Sequence, residues 1–189
     1  MSDISTNIIG LRQIIHSAGW RRIGVDGVDA ASNTDLAEEL TEALEVPLLN
    51  VDDYLYQNQG GYIDFIDYPA LKTALSSMPA FILCGLCLRE ILANLGTELD
   101  GHIYIMRMRD GLWMDEDECV FPEGVDAAIE NLVSNTAALA RHFDEPTQRL
   151  GFERDDDSLQ RTFEVMRYHA AFLPQESADV IYEHGDPAR

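Results

Sequence analysis

Apolar positions recur along the chain in two rhythms. Ile8, Ile9, Leu11, Ile14 and Ile15 follow Thr6 at spacings that put an apolar stripe on one helical face, which predicts an opening helix capped by Thr6 and stopped by Gly19. Short apolar runs bounded by turn residues come next: RRIGVDG (21–27), VPLLNVDD (46–53), AFILCG (80–85), HIYIMRM (102–108) and ADVIYEH (178–184), each predicting a strand. Helical periods near 33–45, 68–78, 86–95, 123–143 and 158–172 separate them, several preceded by Asn, Asp, Pro or Gly. Near-continuous apolar strands alternating with helices predict an α/β fold, a parallel sheet covered on both faces. Ligands are then expected at the carboxyl ends of the strands, in the segments after Val25, Val51 and Leu83.

No repeat, low-complexity tract or Pro/Gly/Ser-rich linker divides the chain, so residues 1–189 read as a single domain that opens with a helical segment over 1–20. The longest region without a clear period is RDGLWMDEDECVFP (109–122). Hydrophobic residues make up 46% of the 189 and charged ones 25%, enough for one well-built core. Thirteen Lys and Arg against 34 Asp and Glu give a net charge of −21, which repels phosphate backbones and anionic lipid and argues against nucleic-acid and membrane partners. The acidity reads first as solubility; an anionic face for a basic partner is the functional alternative. Lys72 is the only lysine in the chain, so a role needing a flexible ammonium has one candidate.

Cys84, Cys87 and Cys119 include one C-x-x-C, but no second pair or nearby histidine completes a zinc set, and buried free thiols are expected. The five histidines are scattered without an i, i+4 pair, and His169, beside Tyr168, is given no catalytic role. No basic segment leads into a long apolar one, and no apolar stretch approaches the ~18 residues that span a bilayer, so a cytoplasmic protein is expected.

The stretch IGVDGVDAASNTDLAEEL (23–40) has the frame of a phosphate-binding loop without its working parts. A loop of the form G-x-x-x-x-G-K-[ST] between strand and helix cradles phosphates on backbone N–H groups, with the lysine on the β and γ oxygens and the hydroxyl on Mg²⁺. Here Gly27 holds the first glycine position, Ser32 the second, Asn33 the lysine position and Thr34 the hydroxyl position. Asp26, Asp29 and Asp35 add negative charge near the helix start, opposing an anion there.

With its neighbours, this stretch resembles the uridine kinase-like branch of the P-loop kinases, with a degenerate Walker A loop. The resemblance runs from about Arg21 to the last strand. VPLLNVDDYLY resembles the second strand with its D-D-[FY] motif, FIDYPAL the substrate segment around D-x-P, and FILCGLCLREIL the strand and helix that carry E-G. HIYIMRM resembles the strand entering the lid, and RYHAAFLPQESADVIYE the closing helix and strand. The resemblance implies a three-layer P-loop kinase-like fold with a five-stranded parallel sheet in the order 2-3-1-4-5, helices on both faces, and a lid over 109–122.

By resemblance, Asp52 or Asp53 accepts the substrate hydroxyl's proton or organises Mg²⁺, with Thr34 and Asp52 as metal positions. A turn and helix cap is the other reading of the two aspartates. Tyr54, Tyr62 and Asp67 would line the acceptor pocket, with Tyr68 where the group commonly has histidine, and Arg107 and Arg109 would be lid arginines. The acidic run Asp110, Asp115 to Glu118 beyond them reads as a solvated loop. The E-G acid falls on Cys84, and a thiol is a poor Mg²⁺ ligand.

Ser32, Asn33 and Cys84 thus alter three separate catalytic elements. The expectation is a pseudokinase that acts by binding a small molecule or a protein partner. The alternative is an active ATP-dependent kinase, a phosphotransferase with an alcohol acceptor such as a nucleoside, using an arginine from the lid or from 141–161 in place of the lysine. ATP and Mg²⁺ are cofactors only under that alternative. A purely structural or interaction protein is the third reading, and homo-oligomerisation is left open.

Overall fold

The structure, a computed structural model of the protein, describes residues 2–28, 30–56, 61–142 and 156–185; the side chains at 30–31, 137–142 and 156–158 are also outside the description. The chain begins with a strand the apolar pattern does not announce, β1 (Asp3–Ser5), followed by helix α1 (Ile8–Ala18). Asn7, not Thr6, caps α1: its side chain accepts a hydrogen bond from Gly10 N at 2.9 Å, the reach an Ncap oxygen needs. Gly19 ends the helix at φ 71, a left-handed conformation that costs glycine nothing.

After α1 come β2 (Arg22–Asp26), α2 (Ala30–Leu44) and β3 (Leu48–Asn50), which runs into a 3-10 turn over Val51–Tyr54. A second such turn, Ile63–Phe65, precedes α3 (Tyr68–Ser77), β4 (Phe81–Cys84), α4 (Leu88–Leu95), β5 (Gly101–Arg109) and β6 (Leu112–Trp113). The rest is α5 (Glu116–Cys119), α6 (Val125–His142), α7 (Asp156–Phe172), α8 (Pro174–Ser177) and β7 (Val180–Gly185).

Among the described residues the sheet has seven strands, not the expected five. Its path is β1-β7-β5-β2-β4-β3, every pair along it parallel, with β6 antiparallel to β5. The five strands read from the sequence lie consecutively in it as β3-β4-β2-β5-β7, and the two additional strands are both too short to show a period. β1 pairs Asp3 with Val180 through Ser5 with Tyr182 at one edge. β6 returns on β5 through Asp110 and Gly111, whose φ values of 52 and 79 fit the two-residue Asp-Gly hairpin turn. The region 109–122 therefore holds a hairpin arm and a short helix.

Side chains along β4 alternate between the two faces of the sheet. Phe81 and Leu83 join Leu71 and Leu75 of α3, Leu88, Ile91 and Leu92 of α4 and Val165 and Tyr168 of α7. Ile82 and Cys84 join Leu11 and Ile15 of α1 and Leu36, Ala37 and Leu40 of α2 on the other face. All four β4 residues are buried, so the strand reads as a continuous apolar run with no solvent side. Each such side chain contributes about 1.5–3 kcal/mol on burial, which makes this two-sided core the element that aligns the strand ends. Among the described residues, no helix is long and apolar enough to cross a membrane.

Candidate functional site

The carboxyl ends of β2, β3 and β4 lie side by side, and the residues after them meet there. Asn33, in the lysine position, is 1% exposed. Its Nδ2 donates to the carbonyl of Gly27 at 3.4 Å and to that of Gly85 at 3.2 Å, so it ties the ends of two neighbouring strands together. Its Oδ1 is buried without a hydrogen bond among the described residues and would stand 2.6 Å from a Cβ at position 27. Gly27 is thus needed for the close approach of this amide. Ser32 is buried, and Thr34 accepts from Asn50 Nδ2 at 3.4 Å and hydrogen-bonds the thiol of Cys84. Burial pushes that thiol up to about 12, so it stays protonated at neutral pH.

Asp26 departs from the expectation of a charge flanking the helix start. It is 4% exposed and accepts hydrogen bonds from Gly27 N at 2.9 Å, the Tyr168 hydroxyl and the Leu88 backbone. Burial raises its carboxyl from 3.8 to about 7, with the hydrogen bonds and nearby Arg89 pulling the other way. Asp35 is exposed, and Asp29 lies outside the described residues.

Asp52 and Asp53 are exposed in the turn after β3, where Asn50 Oδ1 accepts from Asp52 N at 3.0 Å. The Tyr62 hydroxyl donates to Asp52 Oδ1 at 2.8 Å and accepts from Leu86 N at 3.2 Å, linking the segments that follow β3 and β4. The phenol of Tyr62 is wholly buried; burial, followed by the charge of Asp52, raises it well above its ordinary value. Tyr54 packs half-buried against the core. Asp67 caps α3 by accepting from Ala70 N at 3.0 Å and is also hydrogen-bonded by the Tyr56 side chain. Tyr68 donates to the Ile63 carbonyl at 3.1 Å.

Two residues of α7 that sequence reasoning did not single out complete this corner. Glu164 accepts from Tyr62 N at 2.8 Å and Ile63 N at 3.3 Å, and the Arg161 guanidinium lies over the Tyr62 ring at 5.5 Å. Their i, i+3 spacing on one helical face was the available signal, but nothing local names Tyr62 as the target. Arg161 belongs to the 141–161 range considered for a replacement cation; Arg149 and Arg154, and the side chain of Arg141, lie outside the described residues.

The lid-like region is tied to itself. Arg107 Nε donates to both carboxylate oxygens of Asp115 at 3.1 and 3.0 Å, and its Nη2 also bonds Asp115. Asp115, 3% exposed, is therefore a buried partner and not part of a solvated acidic loop, whereas Glu116, Asp117 and Arg109 are exposed. Behind it runs a buried polar chain. Val165 O can only accept, so His169 Nδ1 carries the proton and donates to it at 2.8 Å. Nε2 then accepts from the Tyr104 hydroxyl at 2.8 Å, whose oxygen receives the Cys119 thiol at 3.4 Å. Burial lowers His169 to about 4, keeping it neutral, and raises Cys119 to about 12.

The lysine position holds an amide engaged with two carbonyls, the acid position holds a protonated thiol, and Thr34 and Asp52 are bonded within the protein. The arrangement offers instead exposed carboxylates beside a phenol and a guanidinium.

No protein-family model matches the chain, and no curated protein matches it in sequence. Among solved structures it is similar to a shikimate kinase from Aquifex aeolicus vf5, at 13% identity over 88% of this chain and 89% of that chain, with a TM-score of 0.40. At that TM-score the likeness carries no argument.

Proposed function

We propose that the protein is a uridine kinase-like P-loop protein whose phosphate loop has lost phosphoryl transfer, and that it acts by binding a small molecule or a protein partner beside Asp52, Tyr62 and Arg161. The observation that carries this reading is Asn33: the position that should address the β and γ phosphates is filled by a buried amide bonded to Gly27 and Gly85. Phosphoryl transfer depends on positioning and on charge stabilisation, and losing one such donor typically costs about 3 kcal/mol, roughly two orders of magnitude in rate. With cation and metal-site acid both replaced, binding is the function that remains chemically supported.

Calorimetric titration with ATP, with and without Mg²⁺, tests it. No Mg²⁺-dependent binding at millimolar nucleotide is expected. Tight Mg²⁺-dependent binding would overturn the proposal in favour of an active kinase for a nucleoside or similar hydroxylated acceptor. Arg161 is the observation on that side: its guanidinium over Tyr62, beside Asp52, is a cation near the expected acceptor position.

A further inference from the structure

Two groups of exposed apolar side chains on this molecule carry opposite charge. The first is a groove of about 350 Å³ on the outer side of α1, lined by Ile9, Arg12, Gln13, His16 and, from the end of α2, Leu44. Ile9, Arg12 and His16 recur at three- and four-residue spacing and so share one helical face. Ile9 is 66% exposed there, and α1 contains no acidic side chain to oppose Arg12. The second is the arm over β6 and the start of α5. Trp113 turns inward to meet the Tyr104 ring edge-on, so its neighbours Leu112 and Met114 face away, 70% and 49% exposed. The exposed carboxylates of Asp110, Glu116 and Asp117 flank them in the chain. Apolar side chains held in water between charged ones mark an interaction surface, where an acidic run alone would mark only a solvated loop.

The sheet separates these two surfaces within one molecule. α1 and α2 cover one face, whereas the arm sits on the side of α7, against which α5 packs. Groove on groove across a two-fold axis would set guanidinium against guanidinium, and arm on arm would set carboxylate against carboxylate. Groove on arm joins apolar to apolar and cation to anion. We propose that the α1 groove receives the β6 arm of a second copy of this chain, with Leu112 and Met114 entering beside Ile9 and Leu44 and the arm's carboxylates facing Arg12. Such a contact is head-to-tail, so each copy keeps one groove and one arm free for further copies. The proposal is independent of the phosphate-loop reading.

Sedimentation velocity of the full chain over about 10–500 µM reads the association. About 150 mM NaCl screens the repulsion between two acidic molecules beyond about 8 Å while leaving charges in contact less affected. An average mass that rises with concentration is expected. Ile9→Glu and Leu112→Glu, both at exposed positions, should each lower the association constant tenfold or more. Mixed together they should form a heterodimer and nothing larger, since the first keeps its arm and the second its groove. Urea unfolding of each variant checks that it is folded; Arg12→Glu replaces Ile9→Glu, and Met114→Glu replaces Leu112→Glu, where it is not. A monomer at every concentration, undiminished association in a folded variant of either surface, or a mixture that stays monomeric would each overturn the proposal.

Discussion

Asp26 shows how far a side chain's behaviour depends on groups remote in sequence. Its hydrogen-bond partner Tyr168 is 142 residues away, and burial holds the carboxyl at about 7. Between pH 4 and 7 the folded protein therefore binds a proton that the unfolded chain, at 3.8, has released. The resulting stabilisation is complete below pH 4 and is lost as pH rises through 7. His102 and His169, both lowered to about 4 by burial, act in the opposite direction, costing stability as pH falls below 6.5. The overall profile mixes these effects, so the difference between wild type and Asp26→Asn isolates the carboxyl. Urea unfolding across pH 4–8 should show wild type losing stability relative to Asp26→Asn by up to about 1.4 kcal/mol per pH unit up to pH 7. A flat difference would mean that Asp26 is not held protonated.

At the level of elements, α7 is read correctly as a helix from its apolar period, yet its service to the segment over 61–66 is invisible in that period. Glu164 satisfies two backbone N–H groups, Tyr62 and Ile63, that no helix or sheet ladder engages. Leaving such donors unpaired costs about 1–3 kcal/mol when they are buried. Glu164→Ala should accordingly speed amide hydrogen exchange at Tyr62 and Ile63 by roughly tenfold or more while leaving β2 and β4 protected. Unchanged exchange at those two amides would refute the clamp. The first helix makes the same point in miniature: its stripe and glycine stop are local and legible, but the cap is Asn7 and not the expected Thr6.

Across the whole molecule, a net charge of −21 means that compaction brings like charges together. The Arg107–Asp115 pair, a buried carboxylate with a partly exposed guanidinium, is a single attraction set against this repulsion. Salt should screen the repulsion more than it weakens the pairs: raising NaCl from about 10 mM to about 500 mM, which shortens the screening length severalfold, should raise the urea midpoint. A midpoint that falls would show that attractive pairs outweigh the repulsion.

The sequence by itself determined the alternation of strands and helices, the apolar continuity of β4, and the positions of Gly27, Asn33, Asp52 and Cys84 relative to strand ends, because periodicity, caps and turn residues act over a few neighbours. The tertiary structure alone decided that β1 adds an edge beside β7, that Asn33 bridges two strands, that Asp115 is a buried partner of Arg107, and that burial raises the Asp26 carboxyl. Each of these depends on burial and on groups brought together by the packed sheet, and desolvation, which sets their energies, has no local signature in the order of residues.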